Sequence, residues 1–222
     1  MSQGSMESGP EPASTMNFHN LKPNAIQPTP AAPAEPPRPP KPANVLVLGL
    51  LAHAMTITSL SFAVSTWSEP ELVHLVLGFA LFFGGLAMWV PGVLALLQGN
   101  TFGGTVMCTY GSFWLAFGYF NSMAITTEFA GSEAFKTGAA LLYSQWGVLT
   151  SVLFIFSLKL NKALMAVFLT LATAFFLLAG GVYDEGVSKA SGYALFVAGL
   201  AGFYAAIATL FKDEWNMPMP GV

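Results

Sequence analysis

From His74 to Thr127 the chain contains no Asp, Glu, Lys or Arg. A run this long and this apolar has few places to go in water. A single membrane-crossing helix needs roughly 20 apolar residues, so the run holds two crossings, divided at Gln98-Gly99-Asn100-Thr101-Phe102-Gly103-Gly104. Four further stretches repeat the pattern: Pro42 to Ser68, Thr137 to Leu158, Ala163 to Tyr183 and Ala190 to Phe211. The sequence therefore predicts helices near 45–67, 72–97, 105–127, 138–158, 163–182 and 191–211. The expected fold is all-α, a polytopic membrane protein with six transmembrane helices.

Composition agrees. Of 222 residues 54% are hydrophobic and 9% charged, against roughly 25% charged in ordinary soluble domains. That little charge cannot cover the outside of a water-soluble fold of this size. The net charge is −3 and no basic cluster occurs, which excludes the electrostatic footprint of nucleic-acid binding. Cys108 is the single cysteine, so neither a disulfide framework nor a cysteine metal site is expected. Residues 1–43 hold most of the fifteen prolines and end in Pro36-Pro37-Arg38-Pro39-Pro40-Lys41-Pro42. This stretch is expected to be a disordered cytoplasmic tail, with recognition by a polyproline-reading module the lesser reading. Residues 44–212 form the membrane domain and 213–222 a short C-terminal tail.

Orientation follows from the basic residues. Arg38, Lys41, Lys159, Lys162 and Lys212 fall on one side, and only Lys136 and Lys189 on the other, beside Glu69, Glu71, Glu128, Glu133, Asp184 and Glu185. Both termini are expected in the cytoplasm. Within the membrane, helices associate through small residues. Gly78, Gly85, Gly92 and Gly99 recur every seven residues, and Ala194, Ala198, Gly202 and Ala206 every four. Pro91 should interrupt the second helix.

Three places invite a functional reading. His53 lies at membrane depth with Thr56 one turn on. It is either a pore-lining donor or proton-sensitive group, or a neutral histidine bonded to a neighbouring helix. Tyr110 either offers its hydroxyl to a pathway or is an ordinary buried tyrosine, which spacing favours. The break at Asn100–Gly104 is either irregular backbone lining a cavity or a tight turn. No catalytic constellation, metal-ligand spacing or cofactor motif is found, so moving or organising something is expected rather than transforming it.

The segments Gly99-Asn100-Thr101-Phe102-Gly103-Gly104 and Tyr110-Gly111-Ser112-Phe113-Trp114 closely resemble the GNTFG…SYGSFW signature of the acetate uptake transporter family, which includes fungal acetate permeases and bacterial succinate–acetate permeases of the YaaH type. Phe83-Gly84-Gly85-Leu86-Ala87 is similar to its second-helix segment, Trp146 matches a later helix in spacing, and the likeness extends over residues 44 to 212. The resemblance implies a homo-hexamer of six-helix protomers, each with a narrow pathway for acetate or related carboxylates, possessing no cofactor and sited most naturally in the plasma membrane. Carried over by position, its constriction falls on His53, Tyr110 and Leu171, with His53 standing where the family usually has phenylalanine. Asn44, Thr56, Asn100, Thr101, Phe102, Gly103, Ser112 and Trp114 are carried over as lining or motif positions. Met88 and Ala95 replace the glutamine and glutamate usual in the second helix, and the prolines of the family's opening motif are missing around Asn44. Proton-coupled or neutral-acid passage is the expected mechanism. Ammonia or ammonium export is the alternative within transport, and a non-transporting scaffold the alternative outside it.

Overall fold

A computed structural model describes residues 42–69 and 71–222. Apart from Pro42 and Ala43, the proline-rich tail lies outside the described residues. Six long helices make up the membrane domain: α1 (Leu46–Val64), α2 (Leu72–Leu97), α3 (Thr101–Thr126), α4 (Glu133–Ser157), α5 (Lys162–Gly181) and α6 (Glu185–Trp215). A 3-10 turn, Glu128–Gly131, joins α3 to α4. No strand occurs among the described residues. All of these helices except α3 are both long and apolar enough to cross a bilayer. At 26 residues α3 is long enough, about 39 Å at 1.5 Å per residue. Glycine, serine, threonine and asparagine reduce its apolarity, and the polar ones near its end are satisfied within the helix. Asn121 Nδ2 donates to Phe117 O (2.9 Å) and Ser122 Oγ to Gly118 O (2.7 Å).

Helix ends follow local chemistry rather than the limits of the apolar runs. Asn100, Ser132, Asn161 and Asp184 each accept a backbone N–H from three residues on, capping α3, α4, α5 and α6. The third helix consequently starts at Thr101, four residues before the expected 105, and the Asn100–Gly104 break is a tight turn. Gly99 makes it at φ +79°, where glycine meets no Cβ penalty. Helices α4 and α6 begin at Glu133 and Glu185 instead of 138 and 191. Their first turns carry exposed Lys136–Glu133 (3.0 Å) and Lys189–Glu185 (2.9 Å) pairs. Charge is costly only inside hydrocarbon, so a helix can continue into water beyond the apolar run that marks its core.

The expected interruption by Pro91 takes the form of a π-helical segment, Ala80–Ala87, ending four residues before the proline. Pro91 has no N–H for the Ala87 carbonyl and its ring crowds that group, so the backbone widens there instead of closing a regular turn. Two of the four glycines of the seven-residue series stand in the seam with α3. A Cβ on Gly85 would lie 2.6 Å from Leu115 and one on Gly92 2.7 Å from the Cys108 backbone nitrogen, whereas Gly78 and Gly99 face open space. Helix α3 answers with its own glycines: Gly104 against Leu96, Gly111 against Trp89 and Gly118 against Leu81. A second close seam joins α1 to α6, where Gly192 meets Ser65, Gly199 meets Thr58 and Gly202 meets Ala54. Ala198 and Ala206 are fully buried there, and Ala194 partly so.

Neighbouring helices pack in the order α3–α2–α1–α6–α5–α4. The arc does not close by backbone contact: no Cα of α3 comes within 8 Å of α4 or α5. Aromatic side chains span the gap. Phe113 of α3 meets Trp146 of α4 (centroids 4.7 Å) and Phe175 of α5 (5.4 Å), and Phe102 meets Phe168 (6.1 Å). Residues 216–222 turn back from α6, with Tyr204 Oη donating to Pro220 O and the Gly221 carbonyl accepting from Ala163 N (3.1 Å) at the start of α5.

Candidate functional site

Because α3 stands off from α5, a cavity of about 300 Å³ lies between α1, α3 and α5, with Met88 of α2 in its wall. Its mouth is at the end of the bundle where α1 and α5 begin and α2 passes into α3, formed by Leu46, Asn100, Leu160 and Asn161. The body is apolar: Leu50, Val106, Met107, Leu164 and Phe168 among others. Its inner end is His53, Tyr110 and Leu171, respectively 5%, 1% and 2% exposed. Beyond them lies a void of only about 10 Å³, which shares His53 and Leu171 and is walled by Phe113, Trp114, Phe117 and Phe175. The three residues carried over from the family resemblance therefore lie together at one narrowing, between the larger cavity and the small aromatic void.

Hydrogen bonds fix the polar groups at this narrowing. Trp114 Nε1–H donates to His53 Nδ1 (3.2 Å). Thr150 Oγ1 donates its one proton to Trp146 O (2.7 Å), so the 2.6 Å contact between Tyr110 Oη and Thr150 Oγ1 has the tyrosine as donor. The Tyr110 hydroxyl is consequently a satisfied one whose ring, packed edge-on to His53 (5.4 Å, 62°), lines the cavity. His53 thus accepts a bond from a neighbouring helix on one nitrogen and stands in the cavity wall. Its Nε2 has no protein partner among the described residues, and no buried polar side-chain atom there is left without one, so Nε2 opens onto the void.

The remaining sequence candidates scatter. Asn100, Phe102 and Gly103 line the vestibule, and Trp114 lines the neck. Thr56 is fully buried, donates to Ala52 O (2.8 Å) and packs where a Gly84 Cβ would clash, outside both cavities. Thr101 and Ser112 are exposed on α3. Asn44 ties the start of α1 to the end of α6 by donating to Asp213 Oδ2 (2.8 Å). Met88 lines the vestibule, while Ala95 is buried away from it. Sequence reasoning missed Asn161 and Thr150, and noted Trp146 only as a family match with no role at the site. Asn161 was legible as a cap, a lone asparagine ahead of an apolar run; Thr150 and Trp146 acquire meaning only through Tyr110.

The same arrangement of helices is found in a bacterial acetate channel, SatP, with a TM-score of 0.73 at 27% identity, covering 82% of this chain and 100% of that one. Among curated proteins the chain is 34% identical over 175 residues to Ammonia transport outward protein 2 of Saccharomyces cerevisiae, and 33% identical over 181 residues to Acetate permease A of Emericella nidulans. Each alignment takes in 75% of this chain and 62% or 61% of the relative, so the chain spans about three fifths of their length. The family model described as GPR1/FUN34/yaaH matches residues 25–219. With the six-helix arc, the glycine-paired α2 and α3 and these relatives in agreement, the chain belongs to the GPR1/FUN34/yaaH family.

Proposed function

We propose that the chain forms a membrane pathway for acetate or a similar short monocarboxylate, entered through the vestibule and gated at His53, Tyr110 and Leu171. The observation that carries this reading is the succession of two voids, one of about 300 Å³ and one of about 10 Å³, with His53 and Leu171 in the walls of both. A structural scaffold has no need of an apolar vestibule of about 300 Å³ ending on a buried, half-bonded imidazole. The acetate permease and acetate channel among its relatives supply the solute class. Succinate is a larger candidate that the vestibule admits and the neck resists.

In this reading both termini are cytoplasmic, so the vestibule faces the cytoplasm, since it opens on the face where α1 starts. The exposed apolar side chains on α2 and α4, such as Leu75, Phe82, Leu141 and Ile155, support contact with lipid or with further copies in a homo-hexamer. The plasma membrane is the expected site, with the proline-rich segment a cytoplasmic appendage, and neither cofactor nor nucleic acid is involved. Ammonia is the second solute, favoured by an unpartnered ring nitrogen in place of an aromatic carbon and by the ammonia transport relative.

Uptake of labelled acetate, succinate, propionate and ammonium into proteoliposomes, measured against protein-free vesicles, tests the proposal. Saturable or protein-dependent acetate flux that changes in His53→Phe supports it. A folded protein that moves none of the four solutes leaves the scaffold as the remaining reading.

A further inference from the structure

We propose that Trp114 is a positioning residue that locks His53 as a neutral Nε2–H donor, so that the neck selects the uncharged form of its solute. This rests on the transport reading above and adds the protonation state that crosses.

The argument begins with the indole. Its Nε1–H can only donate, so the ring nitrogen facing it at 3.2 Å has to be an unprotonated acceptor. With Nδ1 so occupied, the neutral imidazole carries its proton on Nε2, the nitrogen open to the void. An imidazolium would set two N–H donors against each other at Trp114. Nothing in the surroundings offsets the charge. Among the described residues, His53 and Tyr110 are the only titratable side chains lining either cavity. Tyr110 and Trp114 of α3 meet the ring directly, and Met88 of α2, Leu171 and Phe175 of α5 and Leu195 of α6 share a cavity wall with it. None bears a carboxylate, and the Tyr110 proton is already donated to Thr150.

The neck thus offers one neutral donor and no fixed charge. An acetate anion shedding its water there loses the solvation of a full charge. One hydrogen bond to a neutral donor returns only part of that loss. An undissociated acid presents a carbonyl oxygen to Nε2–H and carries no charge to desolvate. Ammonia, with a lone pair, meets the same donor; ammonium has no lone pair and cannot. His53 in this scheme neither takes up nor releases the travelling proton, which stays on the solute.

Two measurements on the full-length protein test this. In wild-type protein labelled with 15N-histidine in nanodiscs, His53 is assigned through His19→Gln and His74→Gln variants. It is expected to show a protonated Nε2 and a bare Nδ1 throughout about pH 5.5–7.5, the span around the ordinary imidazole value. In proteoliposomes, protein-dependent acetate flux is expected to follow the undissociated acid, falling about tenfold per pH unit in that range, while ammonia flux rises with pH. Trp114→Phe is expected to mix the His53 tautomers and lower both fluxes several-fold at an unchanged fold.

An imidazolium or an Nδ1–H signal in wild type overturns the positioning role. Flux that tracks total acetate, indifferent to pH, overturns the solute claim. Absence of any flux from folded protein instead removes the transport reading and the solute claim with it, while the nitrogen spectrum still decides what Trp114 does.

Discussion

The interface between α2 and α3 and the gap between α3 and α4 join the same helix to its two sides by opposite means. On one side glycines from both helices let backbones touch, with Gly92 facing the Cys108 nitrogen and Gly111 facing the Trp89 nitrogen. On the other side the backbones stay more than 8 Å apart and rings fill the space. Backbone-to-backbone packing has no soft coordinate, since a substituted Cβ meets atoms that cannot rotate away. Ring-to-ring packing has side-chain torsions to spare and leaves voids where the rings do not tile. The vestibule and neck lie on the ring side of α3. The difference teaches that the wall is built to be rigid and the cavity to be shaped by side chains.

Substitutions can break or sharpen that contrast. The largest loss is expected from Gly92→Val on the rigid side, since its Cβ would sit 2.7 Å from backbone. We expect destabilisation of roughly 3 kcal/mol, the upper end of ordinary overpacking, read as a lowered midpoint in detergent thermal unfolding. Thr150→Val, on the ring side, keeps the shape but strips the acceptor from the Tyr110 hydroxyl. The cost expected is about 2 kcal/mol for an unsatisfied buried donor. Under the proposed function acetate flux should also change, because the phenol is then free to turn toward the vestibule; unchanged flux together with unchanged stability would remove Tyr110–Thr150 from the account.

Smaller effects probe the margins. Asn161→Ala removes the α5 cap to Leu164 N (2.8 Å) beside the vestibule mouth. About 1 kcal/mol should be lost, with faster amide exchange confined to the first turn of α5. Gly78→Ala belongs to the same seven-residue series as Gly92 yet faces open space. It should be neutral or raise stability by roughly 0.5 kcal/mol through helix propensity. A large loss at Gly78 would mean that the π segment does not rotate that glycine out of the seam.

The contrast also explains what could be read from the amino-acid order. The helices were legible because apolar runs and charge clusters are local signals. The second helix, 72–97, coincides with the expectation, since Glu71 and Gln98-Gly99 bound it on both sides. The first turns of α4 and α6 were not, because charged residues outside the hydrocarbon look like loop. Periodicity also misled at Gly78 and Gly99: a seven-residue count assumes one uniform helix, but a π segment separates Gly78 from Gly92, and Gly99 lies past the end of α2 in the turn at φ +79°. At the narrowing, the positions of His53, Tyr110 and Leu171 came from family resemblance, and the structure sets them around one void. The partnership of Trp114 with His53 joins residues sixty-one apart. Side-chain pairs across helices leave no periodic trace, so this kind of wiring is visible only once the chain is folded.

The turn-back of residues 216–222 bears on how the molecule is handled at the bench. Gly221 lends its carbonyl to the opening turn of α5, and Pro220 holds the Tyr204 hydroxyl. Leu164 of that same turn borders the vestibule. Under the proposed function, a purification handle or fluorescent reporter attached to residues 216–222 would load the rim of the cavity, and flux measured on such fusions would register the label as well as the protein.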